Sequence, residues 1–380
     1  MIKVLEVIRQ GEIGGGESHL LDLISFFDKN IIEPYCLSFS DGEMVSRLKS
    51  MKIPCYVIKT ERPFDHKVQK QIKQLITTEK IQLIHAHGSR AISNVIWCAK
   101  TMRIPLIYTV HGWSFHDDQS YIAKEIRSLC EKFMCIFSNE VICVSKSNYE
   151  TGKVAFGLKH AHIIENGINL ERFNPKRDMQ DLRPSMGLDG HDIVIGFIAR
   201  CTKQKNPLSF LEAIEKSHAK NNRIKGVFIG EGDLDEEVNA YIQSHKMQSF
   251  LYRSSFRTDV PEILKAIDIY CLPSLWEGLS IALLEAMAME KAIIATHTDG
   301  TIELIEDKKN GIIVPFYDND ALANAMNLLA EEENMRYRLG KEARKQVEER
   351  FNAKRVADMV TIIYEKNIKK KGFFSFLSFF

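Results

Sequence analysis

Residues 267–311 read IDIYCLPSLWEGLSIALLEAMAMEKAIIATHTDGTIELIEDKKNG. Ile267 to Leu272 is an apolar run closed by Pro273, the pattern of a buried strand. Leu279 to Met289 is apolar on nearly every face, which predicts a helix held between a sheet and a second layer. Ala292 to Thr296 is again a buried strand. The unit is therefore β–loop–α–β, and in such sheets ligands collect at the carboxyl ends of the strands, where this loop lies.

Two carboxylates stand out in it. Glu277 lies in the loop, and Glu285 lies inside the apolar helix, where a charge is costly to bury unless something polar binds it. The other reading of Glu285 is a solvent-facing residue on an ordinary helix. Gly278 lets backbone approach a ligand, and Ser280 is a natural N-cap whose following N–H groups form an anion site. A helix end for phosphate and two carboxylates for hydroxyls suit a nucleotide sugar.

Glu277 and Glu285 resemble the E-x7-E motif of the retaining glycosyltransferases of the GT4 type (glycosyl transferases group 1), which have the GT-B fold. The resemblance implies that Glu277 contacts the donor sugar, Glu285 the ribose hydroxyls, and Gly278, Leu279 and Ser280 the diphosphate.

The whole chain has 380 residues, enough for two domains with separate cores. Fifty-one basic against 50 acidic residues give no global attraction for polyanions, so a nucleic-acid role gains no support. Eight cysteines, mostly in apolar runs and without a C-x-x-C pair, argue for buried thiols in a cytoplasmic protein. Met1 to Ile8 reads as a strand containing Glu6, not as a signal peptide, and no apolar run is long enough to span a bilayer.

Ile2 to Ile8 is followed by the glycine-rich turn Gly11 to Glu17 and a helix from about Ser18 to Phe27. This order brings backbone close to a diphosphate or sugar, or else forms a structural turn. In the resembled family, Gly15 and Gly16 match the positions that meet the donor phosphates. Further strands are expected at Pro34–Ser40, Cys55–Ile58, Ile81–His85, Ile104–Val110 and Glu140–Val144, with helices at Asp65–Lys80 and Ala91–Met102. Repeated βα units imply a parallel sheet covered on both faces. His85 is best read as a hydrogen-bonded structural residue, whereas His111, beside Gly112 at a strand end, matches the family's histidine near the donor sugar. Asn166 and Gly167 match a family turn, in which Asn169 stands where an aspartate is usual.

Lys176 to His191 is polar and lacks an apolar period, so it reads as a linker. The strand Ile193–Ile198 leads to Arg200 and Lys205, with a helix starting near Pro207. The alternative is a solvated basic loop. One cation about 4 Å from a phosphate charge contributes roughly 4 kcal/mol at an effective dielectric near 20. The pair matches the family's R-x4-K, which stabilises the departing diphosphate. Asp233 and Asp235 form a D-x-D at a helix start, read as capping rather than metal binding. Gly300 and Glu303 match a donor-side loop of the family, and Asp299 departs from it. The end of the chain carries Lys366, Lys369, Lys370 and Lys371 and then five Phe, a composition suited to a headgroup region; a frayed end or an oligomer contact is the alternative.

The resulting expectation is an α/β chain of the GT-B type, with two Rossmann-like, doubly wound parallel-sheet domains. An acceptor-side domain spans 1–175, a linker 176–191 and a nucleotide-sugar domain 192–350. A returning helix covers 351–367 and a basic/aromatic tail 368–380. The resemblance implies transfer, with retention, of a UDP-linked sugar to a hydroxyl of an envelope glycan or lipid-linked acceptor. Glu277, Arg200, Lys205 and His111 would carry the chemistry, with no metal or other cofactor. Location would be cytoplasmic, at the inner membrane face through the tail. A non-hydrolysing sugar-nucleotide epimerase and a catalytically silent membrane-attached scaffold are the competing readings.

Overall fold

A computed structural model describes every residue except 117, 118 and 378–380; side chains from 371 onward also lie outside the described residues. The chain divides into two compact units, Met1–Gly167 with Ala353–Phe380, and Ile168–Asn352.

The first unit holds a seven-stranded parallel sheet: β1 (Ile2–Ile8), β2 (Ile32–Ser38), β3 (Cys55–Val57), β4 (Leu83–His87), β5 (Leu106–Val110), β6 (Glu140–Cys143) and β7 (His162–Ile163), in the order β3-β2-β1-β4-β5-β6-β7. Alternation along β1 feeds two cores. Leu5 and Val7 pack with Ile92, Val95 and Tyr108 on one face, while Val4 and Ile8 pack with Leu20, Ile24 and Tyr364 on the other. The last helix, Ala353–Leu377, brings Val356, Ala357, Val360, Ile363 and Tyr364 to that second core at helical spacing. It packs against the first helix, Gly15–Phe26.

The second unit holds β8 (Ile193–Ile198), β9 (Ile224–Ile229), β10 (Leu251–Ser254), β11 (Ile269–Leu272), β12 (Ala292–Thr296) and β13 (Ile312–Val314), parallel and ordered β10-β9-β8-β11-β12-β13. The sequence pattern misses β10, and it places β4 two residues early.

Three boundaries differ from expectation. Residues 176–191 are not a linker: Met179, Leu182, Met186 and Leu188 are buried, and Arg183 binds Asp268 through Nη2 at 2.9 and 3.0 Å. Pro184 and Gly187, which interrupt these apolar residues, hid this packing. The first helix starts at Gly15, three residues before Ser18, because Gly14 serves as its N-cap. The last helix continues past Asn367, although the tail's aromatic side chains lie outside the described residues. Among the described residues no helix is long and apolar enough to cross a membrane.

Candidate functional site

In each sheet the strand order reverses once, between β1 and β4 in the first and between β8 and β11 in the second. Loops leaving two such strands diverge and open a crevice at their carboxyl ends.

In the second unit, β8 runs into a short turn at Lys203–Lys205, then into a helix that begins at Pro207. Asn206 takes the left-handed conformation (φ 50°) that redirects the chain between them. Arg200 stands exposed just past β8. Lys205 Nζ donates to Glu277 Oε1, with the two side chains 13% and 5% exposed. The loops on either side of the reversal are also tied by Leu275 N donating to Gln204 O (2.8 Å) and Gln204 Nε2 donating to Trp276 O (2.9 Å). Glu277 is thus set in place by the β8 loop, not only by its own.

Ser280 caps the helix Ile281–Ala288, its Oγ accepting from Leu283 N at 3.4 Å. Glu285 is half-buried on this otherwise apolar helix. Both carboxylates lie near β11, since burial and then Glu285 and Glu277 raise the Tyr270 phenol well above its ordinary value. Tyr270 Oη donates to Ile198 O at 3.0 Å, at the end of β8. Gly300 is buried against the loop, and an added Cβ there would overlap the Gly278 carbonyl. Glu303 is half-buried on the same short helix, Asp299–Leu304. Lys205, Glu277, Gly278 and Gly300 are therefore brought together, Glu285 lies behind them beside Tyr270, and Arg200 is outside the ion pair. Asp235 accepts from Arg253 Nη2 (2.8 Å) and Gly232 N (3.1 Å) at the start of its helix.

In the first unit the reversal is flanked by the glycine turn after β1 and by His87 at the end of β4. A Cβ on Gly16 would lie 3.7 Å from His111 Cδ2, so His111 and the turn adjoin, while Gly15 is exposed. Around them is a buried cluster. Glu6 Oε1 accepts from Tyr364 Oη (2.7 Å), and Glu6 Oε2 lies 2.9 Å from His87 Nε2 and 3.2 Å from His85 Nδ1. His87 Nδ1 lies 3.1 Å from His111 Nε2. His85 reaches Tyr364 Oη (2.5 Å) and Thr109 Oγ1 (2.7 Å). The His19 ring is edge-on to His111 at 5.0 Å.

The electrostatics follow from burial. Burial would raise the Glu6 carboxyl, but His85 and His87 outweigh it and hold the group near 2. Burial, then His85, pushes His87 down to about 4, and burial, then His87 and His85, pushes His19 to about 3. His111 is held well below the ordinary value by burial and by His19, His87 and His85. Two overlapping groups, His19–His87–His111 and Glu6–His85–His87, could converge on a metal ion, their ligand atoms lying within 4.8 Å. Sequence reasoning missed Glu6, His19 and His87 as one cluster. The available signal was a Glu in an apolar strand and two His at spacing two, paired in register as Glu6 with His85.

Two doubly wound parallel units with this arrangement are the GT-B architecture. The structure of Anabaena Alr3699/HepE in complex with UDP and glucose shares the fold, with a TM-score of 0.85 at 21% identity over 96% of this chain and 100% of that one. Models of two families match, Glycosyltransferase Family 4 over residues 13–172 and Glycosyl transferases group 1 over 178–346. The chain belongs to the GT4-type glycosyltransferases. It is 28% identical over 299 residues, 77% of each chain, to the UDP-Gal:alpha-D-GlcNAc-diphosphoundecaprenol alpha-1,3-galactosyltransferase of Escherichia coli. It is also 28% identical to the N,N'-diacetylbacillosaminyl-diphospho-undecaprenol alpha-1,3-N-acetylgalactosaminyltransferase of Campylobacter jejuni, over 75% of this chain and 76% of that one.

Proposed function

We propose that this glycosyltransferase moves a sugar from a UDP-sugar, with retention, to a hydroxyl of a lipid-linked or envelope glycan acceptor. The observation that carries the reading is the Lys205–Glu277 pair at the second unit's strand reversal, with the Gly300 backbone pressed on the same loop. A diphosphate brought beside Lys205 competes with Glu277 for the ammonium, which would let Glu277 turn to donor hydroxyls. The anomeric carbon–phosphate oxygen bond breaks, the acceptor oxygen bonds from the same face, and the acceptor's proton passes to the leaving phosphate. Catalysis is then positioning together with stabilisation of the charge that develops on the diphosphate. Arg200 and Lys205 receive that charge, so we propose that no divalent cation is required. Glu285 would hold the ribose, with Leu279 and Ser280 at the diphosphate, and Glu303, Gly15 and Gly16 would also contact the donor.

The UDP and lipid-linked parts of the reading are supported by the names of the relatives and of the UDP-bound structure. We further propose a peripheral contact of the basic, Phe-rich tail with the cytoplasmic membrane surface. The test incubates the protein with a panel of UDP-, GDP- and TDP-sugars and a polyprenyl-diphosphate-linked acceptor, and follows free nucleotide diphosphate and anomeric configuration by NMR. Release of UDP with an α-linked product is expected. An isomerised sugar nucleotide would instead indicate an epimerase, and turnover of none of the donors would leave the scaffold reading.

A further inference from the structure

The buried cluster in the first unit has a hydrogen-bond polarity that can be worked out atom by atom. Glu6 is wholly buried and its carboxylate can only accept. It takes the Tyr364 hydroxyl proton on Oε1, so the His87 nitrogen 2.9 Å from Oε2 must carry a hydrogen. Neutral His87 has a single N–H, now spent on Glu6, and its Nδ1 is therefore a lone pair. That lone pair lies 3.1 Å from His111 Nε2. Two facing lone pairs at this distance repel, so His111 Nε2 must donate. A neutral His111 then has no hydrogen left on Nδ1. Its Cδ2 edge already lies against Gly16.

We infer that Glu6 and His87 are positioning residues that fix His111 as a hydrogen-bond acceptor at Nδ1, so that this ring edge takes the hydrogen of a sugar hydroxyl and does not donate to a phosphate oxygen. The ligand half of this rests on the sugar-facing role proposed for His111; the relay itself does not. An imidazolium would attract phosphate, and an Nδ1–H ring would donate to a phosphate oxygen. An Nδ1 lone pair does neither and accepts from an O–H. The other ionisable groups around these rings are His19, His85 and Tyr364, and none of them supplies His111 Nε2 with an alternative acceptor in the structure. Burial, together with His85 acting on His87 and with His19, His87 and His85 acting on His111, keeps both rings neutral near pH 7. The relay ties the last helix, through Tyr364, to a ring five hydrogen-bonding atoms away at the end of β5.

The experiment reads tautomers directly. Protein labelled with 15N-histidine and treated with EDTA is studied by long-range 1H–15N correlation at pH 7 without substrate, with His87→Phe and His111→Ala assigning the two rings. Both rings are expected as neutral Nε2–H tautomers. Glu6→Gln can keep its carbonyl oxygen on His87 Nε2, so the decisive variant is His87→Phe, which keeps the ring volume but removes the acceptor. His111 should then lose its Nε2–H preference, and kcat/KM for transfer should fall at least tenfold while KM for the acceptor changes less than threefold. His87→Asn, whose carbonyl can still accept, should retain that preference and recover part of the activity. A charged His111 at pH 7, an Nδ1–H wild-type ring, or a His111 tautomer unmoved in His87→Phe would overturn the relay. Histidine shifts that move on adding zinc, with stoichiometric metal in the purified protein, would overturn it in favour of a metal site. Correct tautomers with a His111→Ala protein that transfers as well as wild type would overturn the ligand half, together with the proposed role of His111, and leave the relay standing.

Discussion

Gly300→Ala is the most direct test of whether the loop that carries Glu277 must stay where the structure puts it. Gly300 lies in the first turn of the Asp299–Leu304 helix, whose N-cap Thr298 accepts from Thr301 N at 3.1 Å. A Cβ at residue 300 would overlap the Gly278 carbonyl oxygen, stand 2.5 Å from its carbonyl carbon and 2.9 Å from Glu277 O. Ordinary contact begins at 3.4 Å, so the carbonyl carbon alone must retreat by 3.4 − 2.5, about 0.9 Å. These atoms are backbone, and neither can swing aside as a side-chain tip would. The loop cannot relax freely in the other direction, because Gln204 and Lys205 hold it on that side. Glu277 therefore moves by about 1 Å relative to Lys205, and a misplacement of that size costs about 10²-fold in rate. Overpacking should also destabilise the second unit by about 1–3 kcal/mol. The assay is nucleotide diphosphate release with the donor that wild type uses, alongside thermal denaturation. Gly190→Ala is the control, since nothing lies within 4 Å of its Cβ position. If Gly300→Ala kept kcat/KM within threefold of wild type and melted at the same temperature, the argument that this contact positions Glu277 would be refuted.

The other predictions concern charge. Arg200→Ala and Lys205→Ala should each lower turnover more than they weaken donor binding, read by steady-state kinetics beside calorimetric titration; equal losses on both would argue against the leaving-group role. Lys205→Ala also strands Glu277 at 5% side-chain exposure, so stability should fall and be regained in Lys205→Ala/Glu277→Gln while activity stays low. EDTA should leave transfer unchanged, and restoration by added Mg2+ or Mn2+ would count against the proposal that cations of the chain suffice. Acid should loosen the first unit. His19 and His87 have folded pKa values of about 3 and 4, below the ordinary 6.5, so the unfolded chain takes up protons first as pH falls through 6.5. Stability is full above that pH and drops by about 2 kcal/mol per histidine between pH 8 and 5. Glu6, held near 2, adds a further loss below 4.5. A denaturation midpoint that stays flat from pH 8 to 5 would show that these rings are not buried neutral.

What could be read from the sequence depended on how far a residue's chemistry contradicts its surroundings. Glu285 in an apolar helix and Glu277 beside a glycine were visible for that reason, and Ser280 announced the helix start. The strands Ile193–Ile198, Ala292–Thr296 and Ile312–Val314 were legible to the residue, because each is a short apolar run between turn residues. The packing of residues 176–191 was not legible, since its four buried apolar side chains are interrupted by Pro184 and Gly187 and the segment is tied down by Arg183 binding Asp268, a partner distant in sequence. The histidine cluster failed for a related reason. Glu6, His19, His85, His87 and His111 come from four places in the chain, and the pairing of β1 with β4 and of β4 with β5, with the first helix packed beside them, sets them side by side. The Lys205–Glu277 bond was foreseen as two residues in one site, but not as a bond between them.

The two strand reversals bury different chemistry, and this bears on what each can hold. At the second, Lys205 is paired with Glu277, Glu285 lies nearby beside Tyr270, and Arg200 stands exposed. At the first, burial and neighbouring histidines keep His19, His87 and His111 uncharged, the buried Glu6 is saturated by Tyr364, His85 and His87, and the guanidinium groups of Arg9 and Arg90 follow β1 and β4. The rings themselves offer an incoming group no formal charge, but they can exchange neutral hydrogen bonds with a hydroxyl. The second reversal thus buries an ion pair and the first a neutral ring cluster around one saturated carboxylate.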